Sequence, residues 1–113
     1  MEYAELPEFS RDKKRLSKKY RSLSDDIDAL KRTLEKVSIS KVGSKHWNCL
    51  YRDERICVFK IRLACRYLRA TTMRVVYAHQ VDIARIVFIE LYYKGETENE
   101  DRERMQDYLQ QQR

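Results

Sequence analysis

Four basic residues stand where they could act on one phosphate. Lys60 and Arg62 alternate along one stretch, Arg74 lies in a second, and Lys94 closes a third, in register with Glu90 and Tyr92. Neighbouring antiparallel strands lie ~4.8 Å apart and residues i and i+2 ~7 Å apart. If the three stretches pair in chain order, Lys60, Arg62 and Arg74 converge. Such a set suits phosphoryl transfer on RNA, in which the 2′-OH is the nucleophile. The reaction needs a base for that hydroxyl, cations for charge developing on phosphorus, and an acid for the departing 5′-oxygen. Lys60, crowded by like charge, is the candidate base. Arg74 offers a planar two-pronged clamp on phosphate. Tyr92 is placed to stack on a base or assist proton transfer, and Glu90 to tether Arg74 or Lys60. The competing reading is the wet face of a half-exposed sheet, where Lys and Arg are common.

The elements that would position these residues follow from periodicity. Residues 3–9 alternate weakly and predict a short edge strand that tolerates Pro7. Ser10 predicts the N-cap of a first helix over 10–20, with Leu16 and Tyr20 on its packing side. Ser22 or Ser24 caps a second helix with Asp25, Asp26 and Asp28 in its first turn, which complements the helix dipole. Ile27, Leu30, Leu34 and Val37 form its apolar face. Residues 38–54 read as a loop anchored by Trp47 and Leu50. The period then becomes two. Over 56–68, Cys57, Phe59, Ile61, Leu63 and Cys65 oppose Val58, Lys60, Arg62, Ala64 and Arg66. Over 73–80, Met73, Val75 and Tyr77 oppose Arg74 and Val76. Over 85–94, Val87, Ile89, Leu91 and Tyr93 oppose Phe88, Glu90, Tyr92 and Lys94, after a turn at 81–84. Asn99 predicts the cap of a short last helix with Met105, Tyr108 and Leu109 as its contacts. The expected fold is α+β: one domain over 1–113, with an N-terminal helical hairpin packed on one face of a small antiparallel meander and a short C-terminal helix. The other sheet face, carrying the cations, is expected to be free.

Composition narrows the function classes. The chain has 113 residues, 24 Lys+Arg against 18 Asp+Glu, and a net charge of +6. With 2 Gly, far apart at Gly43 and Gly95, it holds no glycine-rich nucleotide loop. Hydrophobic residues at 42% are enough for a core. Cys49, Cys57 and Cys65 suit neither a disulfide framework nor a zinc site, and Cys57 and Cys65 are expected as buried thiols. No metal-ligand spacing occurs, so no cofactor is expected. Apolar runs are too short for a membrane span, and the acidic first residues lack a secretory signal, which predicts a cytoplasmic protein. Residues 11–21 (RDKKRLSKKYR) are strongly basic, whereas the chain from Glu96 is acidic. A basic body suits an anionic partner, and the acidic tail could guard the basic face. Lys13, Lys14, Lys18 and Lys19 would track an RNA backbone or an acidic protein equally well. Arg66, on the basic parity, joins them as a candidate RNA or ribosome contact. His79 reads as structural, and nothing ties His46 to the sheet.

Residues 9–20 (FSRDKKRLSKKY), 58–63 (VFKIRL), 73–77 (MRVVY) and 86–94 (IVFIELYYK) together resemble a toxin of the RelE/ParE superfamily over about residues 9–95. The resemblance implies a small α+β toxin of a type II toxin–antitoxin system with a cognate antitoxin as partner. RelE-like members cut mRNA in the ribosomal A site without metal and leave a cyclic phosphate. ParE-like members poison DNA gyrase without being nucleases, and a catalytically inactive nucleic-acid-binding relative is the third expectation. The family's Lys-x-basic pair falls on Lys60 and Arg62, its strand arginine on Arg74 and its closing basic residue on Lys94. The arginine that follows in the family is Gly95 here. The family's C-terminal tyrosine has no aligned match, so Tyr92, Tyr93 and Tyr108 are the available substitutes.

Overall fold

The computed structural model describes residues 1–36, 47–66 and 73–112. In chain order these form β1 (Glu2–Glu5), α1 (Pro7–Ser17), α2 (Leu23–Lys36), β2 (Trp47–Arg52), β3 (Ile56–Leu63), β4 (Met73–Gln80), a 3-10 turn (Val81–Ile83), β5 (Arg85–Tyr93) and α3 (Arg102–Gln111). The sheet order is β1-β5-β4-β3-β2. β1 runs parallel to β5 and the other pairs are antiparallel. The class is therefore α+β as expected, but the sheet is mixed. The parallel strand follows from connectivity: α1, α2 and three strands separate β1 from its partner β5, so no hairpin constrains its direction.

α1 begins at Pro7, not at Ser10. Pro7 sits at the first helical position, where its missing N–H costs nothing, after an extended Leu6. Phe9, Asp12 and Leu16 form the buried stripe. α2 follows Ser22 and buries Ile27, Leu30 and Leu34, the face its spacing predicts. Val37 lies outside the described residues. The expected loop over 38–54 is corrected at its C-terminal end, because 47–52 is the edge strand β2. Its register breaks between Cys49 and Tyr51, which erases the two-residue alternation by which a strand is read. Trp47 does anchor it, its Nε1 donating to the Tyr77 hydroxyl at 3.0 Å. Asp53 closes the β2–β3 turn by accepting from the Arg55 and Ile56 amides, both at 2.8 Å.

β5 carries a second irregularity. Tyr77 pairs with Phe88 but Val76 pairs with Glu90, which leaves Ile89 as an extra residue. The bulge reverses the parity of the strand midway. Phe88, Leu91 and Tyr93 face the helical hairpin, whereas Val87, Ile89 and Tyr92 face the opposite side. The expectation that Val87 and Ile89 share a face with Leu91, and Phe88 one with Glu90, is corrected accordingly.

The second sheet face is not free. α3 covers much of it, burying Met105, Tyr108 and Leu109 against Ile56, Val58, Val76, Ala78, Val87 and Ile89. The cap of α3 is Asp101, whose carboxylate accepts from the Glu103 amide, and not Asn99. The C-terminal segment thus contributes Met105, Tyr108 and Leu109 to a core, while its acidic residues Glu96 and Glu100 lie against Arg15 and Lys60. The molecule is a three-layer sandwich of hairpin, sheet and α3.

One side chain joins the layers at the sheet edge. β1 pairs with β5 only as far as Phe88, so the β5 edge beyond it lacks a strand partner. Asp12 of α1 accepts there from the Leu91 amide at 3.2 Å. Arg104 reaches round from α3 to the same carboxylate with two bonds, at 2.6 and 3.2 Å. Removing one partner of a largely buried pair strands the other charge. Asp12→Asn is expected to cost about 2–4 kcal/mol in urea unfolding, less than a fully buried pair because Arg104 is partly solvated. A loss under about 0.5 kcal/mol contradicts the clamp.

Candidate functional site

The ladder register builds the candidate site. On the α3 side of the sheet, Arg62, Arg74 and Tyr92 are mutual cross-strand partners in one row. Lys60, Val76 and Glu90 form the adjacent row. Directly opposed residues have Cβ atoms about 4.5–5.5 Å apart. The structure therefore brings together Lys60, Arg62, Arg74 and Tyr92, at the margin of the face that α3 covers. Lys94 lies one residue beyond β5 and is exposed, outside this paired lattice.

Lys60 meets a carboxylate as well as cations. Its Nζ donates to Glu100 Oε2 at 3.1 Å, and Glu100 Oε1 lies 3.2 Å from Arg102. The Glu100 side chain is 4% exposed and that of Lys60 17%. Glu90 does not tether Arg74 or Lys60 as expected; it accepts from the Asp101 amide at 2.8 Å and so holds the start of α3.

The groups have been tuned in different directions. Burial works to raise the pKa of Glu100, but hydrogen bonds from its own amide and from Lys60, with the charges of Lys60 and Arg102, outweigh it and leave the carboxyl below its ordinary range. Glu90 goes the other way: burial pushes it up, opposed only in part by the Asp101 amide and Arg104. Tyr92 is pushed up to about 12 by burial and then by Glu100 and Glu90. It remains a protonated phenol at neutral pH, a donor and not a base. Burial, then repulsion from Arg62, lowers the pKa of the Arg74 guanidinium, while Tyr92 opposes that shift. Its Nη1 donates to the Met73 carbonyl at 3.1 Å, which fixes the fork near the row.

Other candidates lie elsewhere. The sheet separates α1 from these rows. Lys14, Lys18 and Lys19 are exposed on and just after α1, while Lys13 is paired to Glu5 at 2.9 Å. Arg15 meets Glu96 at 3.4 Å, so the acidic segment also touches the basic helix. Arg66 is drawn to α2, lying 3.4 Å from both Asp25 and Asp26, on the hairpin side and not among the site cations. His79 pairs across the sheet with Cys57 on the hairpin side, and burial lowers its pKa. His46 is outside the described residues. Cys57 and Cys65 are buried free thiols and Cys49 is an exposed one. Among the described residues no group of three His, Cys, Asp or Glu is arranged to hold a metal, and no helix is long and apolar enough to cross a membrane.

Gly95 has a local steric cause. A Cβ there would lie 2.5 Å from the Tyr93 ring, which itself packs on Tyr20 at 5.5 Å. A side chain at this position displaces that ring. Sequence reasoning missed Glu100 and Arg102 as members of the site, because their pairing with Lys60 spans 40 residues. The usable signal was charge complementarity between the acidic segment and the basic parity of β3.

No family model, curated protein or solved structure matches the chain.

Two carboxylates with opposite shifts give opposite stability effects. The folded pKa of Glu100 is depressed below 4.5, so its contribution is present above that value and lost as pH falls through the folded pKa. For Glu90 the folded pKa is raised above 4.5, so its contribution is present below that value and lost as pH rises through the folded pKa. Glu100→Gln is expected to destabilise at pH 7 with the deficit shrinking in acid, whereas Glu90→Gln keeps the acceptor and raises the melting temperature at pH 7. Melts of both variants between pH 4 and 7 check this, and equal shifts of the same sign contradict it. Gly95→Arg is expected to cost about 1–3 kcal/mol by unseating Tyr93. Unchanged stability with an unchanged tyrosine near-UV circular dichroism would contradict the clash with Tyr93.

Proposed function

We propose that the chain is a RelE-like toxin of a type II toxin–antitoxin system, acting as a metal-independent, ribosome-dependent mRNA endoribonuclease in the cytoplasm. The observation that carries this reading is the row Arg62–Arg74–Tyr92, with Lys60 beside it, on one face of three antiparallel strands. Two guanidinium groups and an ammonium match the charge of a phosphorane, and a protonated phenol matches the need of the leaving 5′-oxygen. The RNA supplies its own nucleophile, so the protein needs to supply only position, charge and proton transfer. The α1 cations Lys14, Lys18 and Lys19 are available for ribosomal RNA or for an acidic antitoxin segment.

A ParE-like gyrase poison is the second reading. Its support is Gly95, where the RelE pattern has an arginine and where a side chain would have to displace the Tyr93 ring. Lys94, exposed beyond β5, then has no arginine beside it to extend the cationic row.

Controlled expression separates the two. Under the RNase reading growth stops, primer extension maps cuts within translated codons, and Arg74→Ala abolishes both with an unchanged melt, a loss of about 10²-fold or more in cleavage. Intact transcripts with an induced DNA-damage response remove the RNase reading. Undiminished cleavage by Arg74→Ala removes the site assignment.

A further inference from the structure

We propose that Glu100, and not Lys60, is the base that takes the proton from the RNA 2′-OH, with Lys60 and Arg102 holding its carboxylate in place. The inference rests on the endoribonuclease reading and adds a catalytic residue from α3's entry segment to it. Lys60 is the donor in its bond to Glu100, and an ammonium has no lone pair with which to accept a proton. Glu100 is the acceptor in the same bond, and of the roughly four lone-pair sites on its carboxylate, Lys60, Arg102 and its own amide occupy three, which leaves one for a proton. Its side chain is 4% exposed, covered by Lys60 and Arg102, so its position is fixed by that pair. The charge of the carboxylate raises the pKa of the Tyr92 phenol, as does that of Glu90, while Arg74 opposes them. Lys60 from β3, Arg74 from β4 and Glu90 and Tyr92 from β5 occupy two adjacent rows of the sheet, and the α3 entry brings Glu100 with Arg102 to Lys60.

The step balances without a further reagent. The 2′-OH proton passes to Glu100 as the 2′-oxygen bonds to phosphorus. The bond from phosphorus to the 5′-oxygen breaks, and that oxygen takes the Tyr92 proton. The products are a 2′,3′-cyclic phosphate and a 5′-hydroxyl. Proton return from Glu100 to Tyr92 through water resets the site. During the step Lys60 and Arg74 neutralise the phosphorane. Glu100 already stands ionised below neutral pH, so it is ready as an acceptor across the physiological range.

The test is the pH dependence of single-turnover cleavage of a short end-labelled mRNA on programmed ribosomes, between pH 6 and 8.5. With Glu100 as base, the wild-type rate is nearly constant over this range. Glu100→Gln falls by ~100-fold or more and then climbs about tenfold per pH unit, as hydroxide takes over the proton transfer. Glu100→Asp recovers part of the loss. A wild-type rate that itself climbs about tenfold per unit shows that no group already ionised at pH 6 takes the proton, and overturns the proposal. So does Glu100→Gln cleaving within about threefold of wild type. The wild-type profile decides the matter even if Glu100→Gln misfolds, which its melt would report. A wild-type protein that binds ribosomes and cuts nothing overturns the endoribonuclease reading and this inference together, an outcome distinct from cleavage that does not need Glu100.

Discussion

The Asp12 carboxylate holds the three layers in one register. β1 is four residues long and leaves the upper half of the β5 edge without a strand partner. An unpaired strand edge is both a desolvation cost and an invitation to aggregation. Asp12 answers the Leu91 amide from the hairpin side, and Arg104 answers Asp12 from the α3 side. A short β1 therefore does more than end the sheet. It opens the gap through which the two helical layers are tied, and it sets where α3 begins relative to β5. Since Glu100 precedes α3 by two residues, the same clamp fixes the reach of Glu100 towards Lys60.

The β5 bulge is the second constraint on the site. Without the extra residue at Ile89, Tyr92 would turn towards the hairpin and Leu91 towards α3. With it, Val87 and Ile89 support α3 while Glu90 and Tyr92 stand beside Val76 and Arg74. A continuous two-residue alternation could not place an apolar floor and a polar rim on one face of this strand. Bulges commonly re-aim side chains next to functional sites. Here the re-aiming puts Tyr92, a phenol held in its protonated form, on the face where the charges of Glu90 and Glu100 act on it.

Much of this was readable from spacing alone. The alternation of Phe59, Ile61 and Leu63 against Lys60 and Arg62 identifies both faces of β3, and Arg74 falls on the same face of β4 for the same reason. Ile27, Leu30 and Leu34 mark α2 because a helical stripe needs no knowledge of its partner. The misread parts share one physical trait: each depends on contacts distant in sequence. β2 is a strand through its pairing with β3 and through Trp47 bonding Tyr77, not through its own pattern. The direction of β1 is set by β5, more than 80 residues away. The burial of the α3 side of the sheet depends on three apolar side chains, Met105, Tyr108 and Leu109, in an otherwise polar helix. Lys60 could be placed on its face, but its carboxylate partner could not.

The catalytic reading turns on what chemistry the RNA ends carry, because in-line attack by a 2′-OH leaves a signature that other nucleases do not. The most direct measurement is end-group analysis of RNA recovered from cells expressing the wild-type protein, by ligation methods selective for each terminus. The expected result is fragments bearing 2′,3′-cyclic phosphates and 5′-hydroxyls, confined to translated regions. Fragments ending in 3′-hydroxyls and 5′-phosphates, or intact RNA beside broken chromosomal DNA, would contradict it.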